Sequence, residues 1–154
     1  LHFEEIRWVH FGDGPLKTEL YNYAKEHIPN INFEFRGMVS NSLILDYYAN
    51  NYVDLFVNVS ETEGIPVSIM EAQSAGIPVL ATNVGGVSEI VNEQNGFLVN
   101  QQFQTNDVST IIANFFDSSY EEQTEKRKLS YENWDKNYNA DKNYNAFYNA
   151  IISL

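Results

Sequence analysis

Two glutamates, Glu63 and Glu71, bracket a short apolar stretch within Ser60-Glu-Thr-Glu-Gly-Ile-Pro-Val-Ser-Ile-Met-Glu-Ala-Gln-Ser-Ala-Gly-Ile-Pro-Val-Leu-Ala-Thr82. Seven residues separate them, and a helix start falls between. Pro66 suits the first helical turn, where a missing N–H costs nothing. Gly64 lets the chain turn tightly before it, and Gly76-Ile77-Pro78 ends the helix near Ala75. Glu63 then stands at the helix mouth and Glu71 about a turn inside. The free N–H groups of a first helical turn, with the positive end of the helix dipole, form a ready anion site. Acids beside an anion site suit a ligand that carries both phosphates and hydroxyls, and a nucleotide sugar is such a ligand.

The elements that must position these residues alternate. Ile6 to Phe11 reads as a strand, Gly12-Asp-Gly-Pro15 as a tight turn, and the next segment as a helix with Leu16, Leu20, Tyr23, Ala24 and His27 or Ile28 on one face. Ile31 to Phe35 alternates as a second strand, ending at Gly37. Ser40 or Asn41 can cap the following helix, whose apolar face is Leu43, Ile44, Tyr47 and Tyr48. Asp54 to Val59 and Pro78 to Thr82 are apolar runs typical of buried parallel strands. Gly85-Gly86 precedes a short helix, Val87 to Asn92, and Asn95-Gly96 a turn into the strand Phe97 to Val99. Asn106 to Phe116 is an amphipathic helix capped by Thr105 or Asn106, with Val108, Ile111, Ile112, Phe115 and Phe116 on its face. This order predicts an α/β domain, a Rossmann-like parallel sheet with helices on both faces. Ligands of such sheets bind beyond the carboxyl ends of the strands, where the loops Ser60–Pro66 and Asn83–Ser88 lie.

Composition narrows the classes. A chain of 154 residues, 44% hydrophobic and 19% charged, is a single globular domain with a proper core. A net charge of −12 argues against nucleic-acid binding. The one basic run, Lys126-Arg127-Lys128, follows Glu121, Glu122 and Glu125 and reads as a solvated helix face. With no cysteine there is no disulfide, thiolate metal site or cysteine nucleophile. No apolar stretch approaches a membrane span and no signal peptide opens the chain, so at most peripheral membrane contact and a cytoplasmic place are expected. His2, His10 and His27 fit no nucleophilic or metal spacing, and His10 reads as a core histidine. The absence of any Asp-x-Asp fits metal-independent chemistry, and no cofactor is expected.

The tail is aromatic. Tyr-Asn-Ala recurs at 138–140, 144–146 and 148–150, at spacings that match no solenoid. Read as one helix over 131–152, it spreads Tyr131, Trp134, Tyr138, Tyr144, Phe147, Tyr148, Ile151 and Ile152 over about half its circumference. That is more than one sheet face covers. A second partner is expected, either a missing domain or another chain; a groove of the same domain is the alternative. Because the chain opens at Leu1 almost inside a strand, it is expected to be a fragment of a longer protein.

These landmarks resemble a known family. Ser60-x-x-Glu63-Gly64, with Glu71-Ala72 and Gly76-Ile-Pro-Val79, is similar to the nucleotide-sugar domain of glycosyl transferases group 1, retaining enzymes of the GT-B fold. Gly12-x-Gly14-Pro15, Gly37, Gly85-Gly86-x-x-Glu89-Ile90-Val91 and Asn95-Gly96-Phe97-Leu98 fall in the family's order, from about Arg7 to Phe116. Glu63-Gly-Ile-Pro-Val-Ser68 resembles the wording of bacterial surface-polysaccharide transferases. The resemblance implies that residues 1–154 are the second, donor-binding half of a GT-B fold. It also implies that the helix over 131–152 crosses back onto the absent N-terminal half.

The resemblance also implies roles. Glu71 would accept hydrogen bonds from the donor's ribose hydroxyls, work that suits an acceptor-only carboxylate. Glu63, the catalytic candidate, would lie near the transferred sugar. The N–H groups of Gly64, Ile65, Val67 and Ser68 would serve sugar hydroxyls and diphosphate. Met38 and Val39 would lie against the nucleobase, with core packing as the alternative, and Gly12 and Gly14 would cradle phosphate unless they serve only the turn. Glu61 faces solvent, and Glu89 is partly structural. The donor would be UDP- or GDP-linked, with no metal, and the acceptor a glycan or lipid-linked sugar held by the absent half. Nothing in Leu1–Ile6 supplies the family's Arg and Lys diphosphate clamp, and Arg7 sits in the strand, so the fragment alone should bind donor weakly and transfer nothing. The rival is a non-catalytic nucleotide-sugar-binding module or subunit. A hydrolase is disfavoured, since no carboxylate pair is placed as a glycosidase dyad.

Overall fold

Strand and helix alternate as the apolar patterning requires. The computed structural model describes residues 6–153 as β1 (Arg7–Phe11), α1 (Lys17–His27), β2 (Asn32–Gly37), α2 (Asn41–Asn50), β3 (Phe56–Asn58), α3 (Val67–Ser74), β4 (Val79–Thr82), α4 (Val87–Ile90), β5 (Gly96–Val99), α5 (Thr105–Asp117), α6 (Tyr120–Asn137) and α7 (Ala140–Ile152). The expectations placed on His2, on the opening at Leu1 and on the missing clamp before Ile6 concern residues 1–5, outside those described. All strands pair in parallel, but in two hydrogen-bonded ladders rather than the single one expected: β1-β2, and β3-β4-β5 in that order. The ladders belong to two compact units, Leu1–Tyr47 and Tyr48–Leu154.

In the first unit the two strands keep register from Arg7↔Asn32 to His10↔Phe35, then slip so that Phe11 meets Gly37. Ring contacts hold the sheet face together. Trp8 and His10 pack on Phe35, and Tyr21 of α1 meets Phe33 and Phe35 edge-on. His10 is therefore half-buried among aromatic rings, not the core histidine expected. The expected apolar face of α1 is also corrected. Leu16, Leu20 and Tyr23 are exposed and only Ala24 is buried, because it is Tyr21, off that face, whose ring reaches the strands. Arg7 does sit in β1, paired with Glu34 at 3.0 Å.

The second unit has the denser core. Every residue of β4 is buried. Val79 and Ala81 pack with Ile69 and Ala72 of α3 and Val87 and Ile90 of α4. On the opposite face, Phe97 of β5 meets Phe115 of α5 edge-on. Helices thus cover both faces of this ladder. The end of α3 follows from local chemistry. Gly76 takes a φ of +67°, its N–H donates to the Gln73 carbonyl and the Ile77 N–H to that of Ala72, closing the helix with paired carbonyls. For α5 the cap is one residue earlier than expected, because the Asp107 carboxylate accepts from the Gln104 N–H.

Helix α6 ties the unit together through main-chain carbonyls. Ser130 donates to Ile77, Tyr138 to Glu89, and the Asn133 amide to Ile90, which also receives the buried Gln73 and Asn95 amides. The basic run corrects its solvated reading. Arg127 donates to the Val53 carbonyl and lies over the Tyr52 ring, Lys126 donates to the Glu93 carbonyl over the Phe97 ring, and only Lys128 faces solvent beside Glu125. Burial lowers the Lys126 ammonium pKa. The tail is not one helix. Tyr138 closes α6 and the Asn139 side chain accepts the Asp141 and Lys142 N–H groups, opening α7. Tyr144, Phe147, Tyr148, Ile151 and Ile152 all stay exposed on α7. No helix among the described residues is long and apolar enough to cross a membrane.

Candidate functional site

The second unit brings β3, α3 and the turn after β4 to one place. Pro66 has extended geometry and stands at the N-cap, one residue before the helical turn expected for it, and is buried. Its carbonyl takes the N–H of Ile69 and, at longer range, of Met70. The N–H groups of Val67 and Ser68 come before that first bond, as the leading donors of any helix must. Both residues are exposed, as are Gly64 and Ile65. The mouth of α3 therefore presents main-chain donors at the positive end of the helix to solvent.

Glu63 is half-buried just before this mouth, and Glu71 is half-buried on the fifth residue of α3. Glu61 is exposed, as expected. The Glu63 carboxylate accepts from the Asn58 side-chain amide at 3.1 Å. Asn58 ends β3, and its side-chain oxygen Oδ1 accepts from the Ser60 N–H at 3.1 Å and the Ser60 hydroxyl at 2.6 Å. The Gln101 side-chain amide donates to the Glu61 carbonyl at 3.2 Å.

The Gly85-Gly86 turn presses on the same loop. Gly85 has a φ of +54°, and the Gly86 N–H donates to the Gly64 carbonyl at 2.8 Å. A β-carbon on Gly86 would come within 2.9 Å of that carbonyl oxygen and 2.8 Å of Ile65 Cγ1. Only glycine at both positions allows this approach, so the two loops read separately from sequence are one packed structure. The Glu89 N–H donates to the Gly86 carbonyl and closes this turn through the main chain. Thr82, the last residue of β4, is 1% exposed, and its hydroxyl has no hydrogen-bond partner among the described residues.

The remaining candidates belong to the first unit. Gly12 donates its N–H to the Gly37 carbonyl at 2.9 Å. Between Gly12 and Gly14, the Asp13 carboxylate takes the Lys17 ammonium at 2.8 Å and the Gly14 N–H at 2.9 Å. Lys17 above all, with Gly14, holds the Asp13 carboxyl below its ordinary range. An acid of the turn thus meets the donors offered there, and the contacts of Gly12 and Gly14 are those of a tight turn. Gly37 has a φ of +69° under the Asp13–Lys17 pair. After it, Met38 is 83% exposed, which removes core packing as its role, and Val39 is half-buried.

Sequence reasoning passed over Asn58. A single polar residue in an apolar strand carried no periodic signal, though its place at the strand's carboxyl end was the one available cue.

Residues 2–137 match the family described as Glycosyl transferases group 1. The O-antigen biosynthesis glycosyltransferase WbnH of Escherichia coli is 34% identical over 113 residues, 71% of this chain and 31% of that protein. Protein CapJ of Staphylococcus aureus is 37% identical over 90 residues, 58% of this chain and 22% of that protein. The chain therefore spans less than a third of the length of these curated relatives. Among solved structures, Anabaena Alr3699/HepE in complex with UDP is similar with a TM-score of 0.77 at 20% identity, over 97% of this chain and 41% of that one. The C-terminal domain of the glycosyl transferase group 1 family protein LpcC from Francisella tularensis gives 0.69 at 23% identity, over 81% and 63%. At these identities the likeness concerns the fold, that of a GT-B C-terminal domain.

Proposed function

Since the chain belongs to glycosyl transferases group 1, we propose that it is the donor-binding part of a retaining glycosyltransferase. It would move a hexose-type sugar from a UDP- or GDP-linked donor to a glycan or lipid-linked acceptor. The observation that carries this reading is the packed loop pair in which Gly85-Gly86 holds Glu63-Gly64 at the mouth of α3. That arrangement puts main-chain donors beside the half-buried Glu63, with Glu71 half-buried further along the same helix, and a sugar diphosphate needs donors and acceptors alike.

In this reading Glu71 accepts the ribose hydroxyls and Glu63 faces the transferred sugar. The N–H groups of Gly64, Ile65, Val67 and Ser68 steady the diphosphate as charge grows on it, a fixed-dipole stabilisation. Met38, standing in solvent, and Val39 offer apolar surface to the base. No metal is needed, because the helix end and cations from the rest of the longer protein supply the positive charge. The acceptor half of that protein is also the partner we assign to the exposed aromatic face of α7. The relatives' names, O-antigen and teichuronic acid biosynthesis glycosyltransferases among them, support a role in bacterial cell-surface polysaccharide synthesis. We place the transfer in the cytoplasm, at the inner face of the membrane.

The experiment uses the full-length protein. UDP, GDP, ADP and their hexose forms are titrated by calorimetry, and the sugar released on slow donor hydrolysis is read by NMR, with and without EDTA. Binding of one nucleotide family, tighter with its sugar attached, is expected, and the released sugar should keep the donor's anomeric configuration in EDTA. Inverted product removes the retaining mechanism, and activity lost in EDTA removes metal independence. Sugar-dependent binding without turnover supports the non-catalytic module instead.

A further inference from the structure

The orientation of the Asn58 amide is settled by what surrounds it. A main-chain N–H can only donate, so the group facing Ser60 N at 3.1 Å must be the carbonyl oxygen, which also takes the Ser60 hydroxyl at 2.6 Å. The NH2 group is left for Glu63 Oε1 at 3.1 Å, and a carboxylate can only accept. Each side of the amide meets the one kind of partner it can use. Asn58 itself is fixed at the carboxyl end of β3, paired to Ala81 in the buried β4. It is thus a rigid arm reaching from the sheet to an acid on a loop. One carboxylate oxygen of Glu63 is held, and Oε2 is engaged by no hydrogen bond among the described residues.

We propose that Asn58 is a positioning residue for Glu63. It fixes Oε1 so that Oε2 faces the α3 mouth in one pose, and so governs contact with the donor's sugar without touching it. This rests on the reading that Glu63 faces the transferred sugar. The same amide also shapes the Ser60 turn, so the two jobs have to be separated.

Asn58→Asp separates them. An aspartate still accepts from the Ser60 N–H and hydroxyl, which preserves the turn, but it presents an acceptor and a like charge to Glu63. In the full-length protein, UDP and GDP titrations find the nucleotide that binds, and the matching UDP-hexoses or GDP-mannose give the gain in affinity due to the sugar. Asn58→Asp should cut that gain, and the turnover number for donor hydrolysis, by about tenfold, the loss typical of one charged hydrogen bond. Affinity for the bare diphosphate should fall by clearly less than the sugar gain does, since no phosphate contact is altered and the added charge acts on the diphosphate only through screened repulsion. The pair Asn58→Asp with Glu63→Gln lets the new glutamine donate to the new aspartate. It should recover thermal stability lost in Asn58→Asp, yet not the sugar gain.

Three outcomes overturn the inference. An unchanged sugar gain in Asn58→Asp leaves Asn58 with the turn alone. Equal losses for nucleotide and nucleotide sugar mean the whole site has moved. Failure of the double variant to recover stability means the contact carries no coupling. If the unaltered protein binds no nucleotide sugar, the functional reading falls and takes this inference with it; a stability coupling that persists in that case marks the failure as one of function, not of the contact.

Discussion

Gly85 lies against the main-chain carbonyl of Glu63: a β-carbon on Gly85 would stand 1.9 Å from that oxygen. Two segments some twenty residues apart in sequence, the loop before α3 and the turn after β4, therefore meet backbone to backbone. The placement of Glu63 depends on the absence of a side chain elsewhere.

Gly85→Ala is the first prediction. The backbone at a φ of +54° already disfavours a side chain, at about 1–2 kcal/mol, and the Glu63 carbonyl must also move. A loss of at least about 2 kcal/mol is expected, read by denaturant unfolding, together with weaker nucleotide-sugar binding. A variant as stable as the parent would show that this contact is not made.

Thr82→Val should act in the other direction. A buried hydroxyl without a partner has a desolvation cost that a methyl group of the same shape lacks. A gain of about 1 kcal/mol is expected in chemical denaturation. A loss of that size would reveal a partner for the hydroxyl, such as an ordered water.

The junction of α6 and α7 should respond to acid. Lys142 first, then Asn139, holds the Asp135 carboxyl below its ordinary range. A carboxylate depressed in the folded state contributes stability that is complete above its unfolded value, and loses it as the pH falls through the folded one. The α6–α7 link should therefore hold above about pH 4 and loosen below it. Amide exchange over Asn139–Asn143 would follow the change, and Asp135→Asn should flatten it. An acid response unaltered in Asp135→Asn would place its origin elsewhere.

Much of α3 was legible because its signals are local. Gly76, Ile77 and Pro66 act on their immediate neighbours, and the helix ends at the residue they specify. The parallel, alternating architecture followed from apolar runs for the same reason. What sequence could not convey was contact across long separations. Lys126 and Arg127 look solvated in a charged run, yet their partners are carbonyls 33 and 74 residues away. A charge pattern carries no information about a carbonyl. The α6–α7 break was available in principle, since Asn139 is a good cap, but the aromatic spacing on either side favoured reading through it. The split into two ladders is a matter of strand pairing, to which the patterning of each strand is blind. Glu63 was found by motif, while Asn58, which touches it, offered no pattern to find.

The central claim is that this chain recognises the nucleotide of a sugar donor through the α3 mouth and Glu71. Calorimetric titration of the full-length protein and its Glu71→Gln variant with UDP and GDP tests it most directly, since glutamine keeps the size and removes the charge. Binding of one nucleotide, weakened by about tenfold or more in the variant, is the predicted result, as expected for losing a charged hydrogen bond to a ribose hydroxyl. Equal affinity in both proteins, or binding by neither, would contradict it.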